Sequence, residues 1–527
     1  LQDHNLSLQA APSLRLLLGY SRNRQSGPSL TTSNLGGSGG TEAALFGNVR
    51  RLQDEYRLGA EFDWKGWRFS GLRGWEVFRD DTEYTLNPLQ PVSPNQAGPV
   101  VKDFNRVEPY HGRTPYWQAA LAHAGRRHSV HGVFRYASGE RAFIHDETAS
   151  GSLQFGPLAR QVLVAGNGRR PLISGNLSFN SVLTSRLTAI VEVNLYRVRM
   201  EGDNFYQELN SGTLDLSSRA FELLGIRTVS GSANLVYRVR DWLSVHGGYR
   251  PAARLIRSTQ QSSIGAELTS VTSQQSNTSH AGVAGVRLRP FKQLSALLEA
   301  EVGRNSRPFS PISDRDYHTL HGRVQYRTSK LTMLASVRTN YNFNSVALSS
   351  HSSRSRQYGI QGSWFPSAKW SIDASYMKNH LDAISGIAYF SAGQLVTGDR
   401  SWYISNLHTG TLGVRAAVVP RTELYVGYVF VEDTGDGRQE AMMPAGSTGL
   451  SASEAPAFRT AQTFPLRYHT PMARLSIALH PNLHLNVGYQ QYRYSERFGA
   501  PTLVLSALPD LQNYRAHTGY TSLLWSF

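Results

Sequence analysis

The 527-residue chain is 40% hydrophobic, has a mean hydropathy of -0.35, and carries 54 basic against 38 acidic residues for a net charge of +16. Its apolar runs are short, as at Ala416–Val419, and a membrane helix needs roughly 20 consecutive apolar residues, so none is present. With no cysteine, disulfides, thiolate metal sites, iron–sulfur clusters and covalent c-type haem are excluded, and no cofactor is expected in this chain.

Alternation of apolar and polar residues begins near residue 13 and recurs to the end. Strands are predicted first over 13–24, 53–64 and 66–79. In Tyr56–Trp64 one face reads Tyr56, Leu58, Ala60, Phe62, Trp64, and the other Arg57, Gly59, Glu61, Asp63. Strands at 115–125, 128–139, 172–184 and 186–200 follow, the last setting Leu187, Ala189, Val191, Val193 and Leu195 against Glu192 and Asn194. Next come 230–240, 242–256, 278–289, 293–305, 316–327 and 330–344. The last predicted strands are 355–365, 369–380, 403–419, 422–433, 467–480, 483–495 and 513–527. Arg141–Val164 and Phe221–Arg227 stay open between a further hairpin and an outward extension of the sheet.

A soluble sandwich also alternates, and connection lengths separate the two cases. Tight connections (Lys65-Gly66, Thr184-Ser185, Asp241-Trp242, Pro366–Lys369, Pro420-Arg421, Pro481-Asn482) alternate with long ones through Gln25–Leu52, Asp80–Thr114, Glu140–Pro171 and Thr434–Leu466. Short periplasmic turns alternating with long extracellular loops are the layout of outer-membrane barrels. The expectation is therefore an all-β protein: a transmembrane antiparallel β-barrel of about 20 strands, closed by pairing of the last strand with the first near Leu14–Tyr20. No compositional break marks a linker, so 1–527 reads as a single domain. No basic start with an apolar stretch opens the chain, so Leu1 is expected near a mature terminus, with both termini periplasmic.

The chain ends with Thr521, Leu523, Trp525 and Phe527 on one face. This resembles the terminal signal that the barrel-assembly machinery reads in outer-membrane proteins. Aromatics cluster near strand ends, as at Trp64, Trp67, Trp75, Tyr494 and Tyr514, and suit interfacial girdles. Of the basic residues 48 are Arg and 6 Lys. On the polar walls lie Arg15, Arg57, Arg135, Arg238, Arg250, Arg323, Arg338 and Arg474. In a spanning barrel these face the lumen, because Arg in lipid costs about 2–4 kcal/mol. They either attract anions or pair with Glu61, Glu192, Glu299, Glu301 and Glu423. The basic residues are spread over strands rather than gathered on one module, so no nucleic-acid partner is expected.

Catalytic patterns are weak, and no enzyme is expected. Gly36–Gly40 has nucleophile-elbow spacing but sits in a Gly/Ser-rich stretch without the strand–helix setting. His131, His246, His321 and His484 are scattered on polar walls, without metal-ligand spacing. No metal site is expected beyond a weak calcium candidate at Asp433 and Asp436, which sit beside glycines.

The hairpin chain and terminal Phe527 resemble outer-membrane porins over the whole length. No globular plug precedes the first strand, so the chain does not resemble a TonB-dependent receptor. Tyr56–Phe78, His380–Phe390 and Asp433–Arg438 faintly resemble MtrB/PioB-type barrels of porin–cytochrome conduits. That resemblance implies a sheath whose lumen holds a multihaem c-type cytochrome for extracellular electron transfer. The alternative is a general or anion-preferring diffusion porin. Outer-membrane lipid and the assembly machinery are the other partners expected.

Overall fold

A strand that alternates apolar and polar side chains is stable only when its main-chain groups pair and one face avoids water. The computed structural model describes residues 2–34, 42–86, 100–153, 156–265, 267–308, 310, 313–344, 351–391, 394–435, 466–496 and 513–525. These are all β. The first strands are β1 (Gln2–Ala11), β2 (Leu14–Asn34), β3 (Glu42–Trp64), β4 (Trp67–Leu86), β5 (Val100–Ala124), β6 (His128–Leu153) and β7 (Gly156–Val182). They are followed by β8 (Leu187–Asn210), β9 (Thr213–Arg240), β10 (Leu243–Ile264), β11 (Glu267–Phe291), β12 (Leu294–Asn305), β13 (Asp316–Arg327) and β14 (Leu331–Asn344). The remainder are β15 (His351–Ser367), β16 (Trp370–Ser391), β17 (Gln394–Val419), β18 (Thr422–Asp433), β19 (Leu466–His480), β20 (Leu483–Glu496) and β21 (Asn513–Trp525). Contacts group the chain into two units, Leu1–Leu183 with Ala189–Ala233 and Ala252–Ser276, and Thr184–Thr188 with Asn234–Pro251 and Asn277–Phe527.

In the first unit β1 to β7 pair antiparallel in sequence order. Directly opposed residues share a face. One face therefore carries Leu16 with Leu8 and Ala60, then Leu18 with Leu6 and Leu58. A row of aromatics ends this apolar band: Tyr20 opposite Tyr56, Tyr56 opposite Trp75, and Trp117 opposite Tyr136. Arg73 lies on the same face in that row, with its guanidinium 5.1 Å from the Trp75 ring centroid and 4.7 Å from that of Trp117. Past the row this face turns charged, beginning with Arg22 and Asp54 at 2.7 Å. β6 runs on from Tyr136 to Leu153, about 55 Å further at about 3.3 Å per residue.

In the second unit β11 to β21 pair antiparallel in order. Leu298, Val324, Ala335 and Ile360 lie on the apolar face, and Glu299, His321 and Arg338 on the polar one.

Each of the twenty predicted strands is present, and the structure adds β1. That strand escaped notice because Leu6 and Leu8 are its only large apolar residues. Leu14–Tyr20 lies in β2, which is flanked on both sides by β1 and β3 and leaves no edge for the last strand. Gln2 pairs with Arg22, past the aromatic row, and β1 descends to the Pro12-Ser13 turn. β21 brings Trp525 opposite Leu483 beside Pro481-Asn482.

The predicted long loops are largely strand. Most of Gln25–Leu52, Asp80–Thr114 and Glu140–Pro171 is strand within β2 to β7, and residues 87–99 lie outside the described residues. Arg141–Val164 extends β6 and β7, and Phe221–Arg227 lies within β9. Beyond the apolar band neither face needs to be greasy, so alternation fades while pairing continues. Most of Thr434–Leu466 lies outside the described residues.

Candidate functional site

The eight arginines singled out from the sequence divide between the units. Arg15, Arg57 and Arg135 lie on the polar face of the first unit. Arg15 pairs with Glu61 at 3.3 Å, Arg57 with Asp3 at 2.5 Å, and the Arg135 guanidinium sits 4.8 Å from the Tyr116 ring centroid. In the second unit Arg250 bonds Glu301 and, at 3.3 Å, Glu299. Arg338 lies opposite His321, and Arg474 lies over Tyr425 at 5.7 Å. Arg238 stands between the exposed Tyr237 and Val239, on the other face from them. Arg323 lines a hollow of about 400 Å³ with Arg287, Arg289, Arg327 and Lys292, and no carboxylate lines it. Within each unit these arginines lie in separate surroundings on its polar wall.

The strongest built site is in the first unit, on the polar face beyond the aromatic row. Glu147, 5% exposed, is its centre. Arg106 donates to it from Nη2 at 2.6 Å and Nε at 2.9 Å, and Arg160 Nη1 at 3.1 Å. His145 lies 3.5 Å from Glu147 and 3.0 Å from Glu108. Arg160 Nε reaches Glu208 at 2.6 Å, and the Tyr206 hydroxyl donates to the same carboxylate at 2.6 Å. Beside this network, Asp80 accepts from Arg51 at 2.5 Å and from the Thr82 main-chain N–H at 3.1 Å.

Register explains the gathering. Arg106 faces Glu147 across β5 and β6, and Glu147 faces Val162 across β6 and β7, two residues from Arg160. The pairs Arg106 and Glu108, His145 and Glu147, and Tyr206 and Glu208 each stand two apart, which puts both members on one face. That spacing was the available signal, and it lay in stretches read as loops.

Electrostatics hold the network ionised. Burial opposes ionisation of Glu147, but bonds from His145 and Arg106 and the charge of Arg160 outweigh it and pull its pKa down to about 2. Bonds to Glu108 and Glu147 push His145 up to about 9. The Arg160 bond also holds Glu208 below the usual carboxylate range.

Two cavities open on this network. One of about 620 Å³ is lined by Arg106, Glu108, His145, Glu147 and Arg160. The other, of about 760 Å³, shares Tyr110 and Phe143 with it and adds Arg135, Arg141, Arg170, Glu76, Glu201 and Glu222. Arg141 donates to Glu76 at 3.0 Å. In the larger cavity the polar-face charges are Arg135, Arg141 and Arg170 with Glu76 and Glu222, while Arg169 pairs with Glu140 and Glu201 with Arg199 on the other face. These cavities combine aromatic surface, fixed guanidinium donors and carboxylate acceptors. They suit a polar solute with several hydrogen-bonding groups rather than a bare anion.

The other sequence candidates resolve as follows. Asp433 is 8% exposed and accepts from Ser405 Oγ at 2.5 Å and from the main-chain N–H groups of Asn406 at 3.0 Å and Gly435 at 2.8 Å. It organises the end of β18, and Asp436 lies outside the described residues. Among the described residues no group of three or more His, Asp or Glu is placed to hold a metal. Thr521, Leu523 and Trp525 face Val487, Leu485 and Leu483 on the apolar side of β20, while Phe527 and Gly36–Gly40 lie outside the described residues. His246 is bonded to Glu299 at 3.0 Å.

No family model and no curated protein matches the sequence. Solved structures match in fold. The ferric yersiniabactin uptake receptor FyuA from Yersinia pestis aligns with a TM-score of 0.54 and 12% identity, over 100% of this chain and 77% of that chain. The siderophore receptor PiuA from Acinetobacter baumannii aligns at 0.49 and 10%, over 98% and 81%. The ferric-catecholate import receptor Fiu from E. coli K12 aligns at 0.48 and 11%, over 98% and 82%. At such identities the likeness establishes the fold: the large antiparallel strand array of outer-membrane receptor barrels. Two expectations are overturned. The neighbours are import receptors, which removes both the sheath of a multihaem cytochrome and the general diffusion porin. The exclusion of TonB-dependent receptors also fails, because it rested on a missing plug while the strand array by itself aligns with a receptor. Alternating strands are common to all these barrels, so sequence texture did not separate them.

Proposed function

We propose that this chain is the barrel of an outer-membrane receptor that takes up a specific polar solute of the metal-chelate kind. The observation that carries the reading is the built pair of cavities on the polar face beyond the apolar band, centred on the ion network of Glu147. A diffusion pore needs no such site, whereas a selective receptor needs fixed donors and acceptors where the solute arrives. In this reading the apolar faces meet membrane lipid and the polar faces line the solute path. The strands beyond the aromatic row rise outside the cell. Thr521, Leu523, Trp525 and Phe527 serve the barrel-assembly machinery, and the role is transport rather than catalysis.

The test is uptake of radiolabelled iron presented as a panel of catecholate, phenolate and citrate chelates. Cells carrying the gene are compared with a deletion strain, with and without a restored copy. Accumulation of one chelate class that disappears with the gene and returns with it supports the reading. Equal accumulation of every chelate in the deletion strain overturns it, as does a steady open conductance of the purified protein in planar bilayers.

A further inference from the structure

A basic patch lies on the face opposite to these cavities. Side chains alternate along a strand, so Arg197 and Arg199 on β8 share the face of Val191 and Val193, which are 40% and 45% exposed, and of Leu195. On β9 Arg227 is in phase with Leu223, Gly225 and Val229, and on β10 Arg257 is in phase with Ala253 and Leu255. All four arginines line a single hollow of about 460 Å³ within the first unit, with Leu223 and Leu255 in its wall. The three strands therefore bring them together on the apolar face, at the level where that face stops being apolar.

Elsewhere at this level of the first unit several cations of this face are matched, although Arg24 and Arg50 on β2 and β3 have no carboxylate partner among the described residues. Arg22 has Asp54 at 2.7 Å, and Arg113 and Arg169 share Glu140 at 3.4 and 3.3 Å. In the patch only Arg199 is matched, by Glu201 at 2.6 Å. Arg197, Arg227 and Arg257 are exposed and have no carboxylate partner among the described residues. Three spare guanidiniums at the rim of an apolar band are complementary to an amphiphile with anionic oxygens at its head. Guanidinium binds phosphate oxygens in bidentate fashion, and cations at a membrane surface are drawn to anionic headgroups.

We propose that this patch binds the phosphate groups of the phosphorylated glycolipid of the outer leaflet, with acyl chains lying along Val191, Val193 and Leu195. The proposal rests on the membrane placement in the preceding reading, but not on uptake. A soluble phosphate would gain nothing from the adjoining apolar wall, which is why the lipid is the occupant.

The full chain is purified and placed in nanodiscs of zwitterionic lipid containing either diphosphorylated lipid A or its dephosphorylated form, and retained lipid is quantified by native mass spectrometry. The phosphorylated form is expected to bind at least about tenfold more tightly, with the preference shrinking as salt rises. Replacing Arg197, Arg227 and Arg257 together by Gln should remove that preference. The single variants R227Q and R257Q, each reducing it in part, serve if the triple variant does not fold. Equal binding of the two lipid forms, or an unchanged preference in the variants, overturns the proposal. Inorganic phosphate binding as tightly as lipid A overturns the lipid as occupant. Lipid A binding without gene-dependent chelate uptake overturns the uptake reading alone.

Discussion

Glu147 shows how much rests on single side chains. Its carboxylate is almost fully buried and accepts from Arg106 and Arg160, each of which is itself largely buried. Removing one member of a buried ion network leaves the others uncompensated, at a cost of about 3–5 kcal/mol. Glu147→Gln should therefore loosen the outer ends of β6 and β7, read as faster hydrogen exchange at amides near Val162. Unchanged exchange would contradict the network's structural role. The network also sets a pH window. The Glu147 contribution is complete above its ordinary value of 4.5 and is lost as pH falls through about 2. The His145 contribution is complete below its ordinary value of 6.5 and is lost as pH rises through about 9. Protection of these strand ends should be greatest between about 4.5 and 6.5, and should fall on both sides.

At the scale of elements, short turns and close strand contacts decide register. Lys65 and Gly66 have φ of 47° and 82°, both in the left-handed region, which suits the right-handed twist of a two-residue hairpin. Gly66→Val forces a β-branched side chain into that region at about 1–2 kcal/mol. Slower folding of the purified chain into detergent micelles, followed by heat-shifted gel mobility, is the expected result. Gly74 is required by close approach: a Cβ there would lie 2.1 Å from the Tyr116 ring. Gly74→Val should dislodge Tyr116 from its bond with Glu55 and destabilise by about 1–3 kcal/mol. A structure of the variant with Tyr116 unmoved would refute this. The strands most legible in the sequence, such as Leu331–Asn344, carry an apolar face through the band. The outer ends of β5 to β7 carry charges and small residues on both faces, and only their partners across the sheet make them strands.

For the molecule as a whole, assembly and charge are the measurable consequences. The described part of the terminal strand packs Leu523 opposite Leu485 and Trp525 opposite Leu483. Deleting Phe527 is expected to prevent membrane insertion and direct the chain to degradation, and normal surface labelling of the deletion would disprove it. The net charge of +16 is not concentrated in the cavity around Glu147, where Arg106, Arg160 and His145 meet Asp80, Glu108 and Glu147. Part of it remains as the unmatched arginines of the apolar-face patch and of the hollow around Arg323.

Hairpin order, the all-β class and the polar-wall position of arginines such as Arg15 and Arg323 follow from the sequence alone. Period-two alternation and two-residue turns are local properties, and lipid-facing strands cannot avoid displaying them. The site around Glu147 was decided by tertiary structure. Arg106, Glu147, Arg160 and Glu208 come from four strands, and their meeting depends on register over many residues of pairing. Their segments also lie where solvent removes the pressure to alternate, so nothing local marked them as strands. The unmatched state of Arg197, Arg227 and Arg257 was likewise invisible, because whether a cation has a partner is settled only by what the neighbouring strands place beside it.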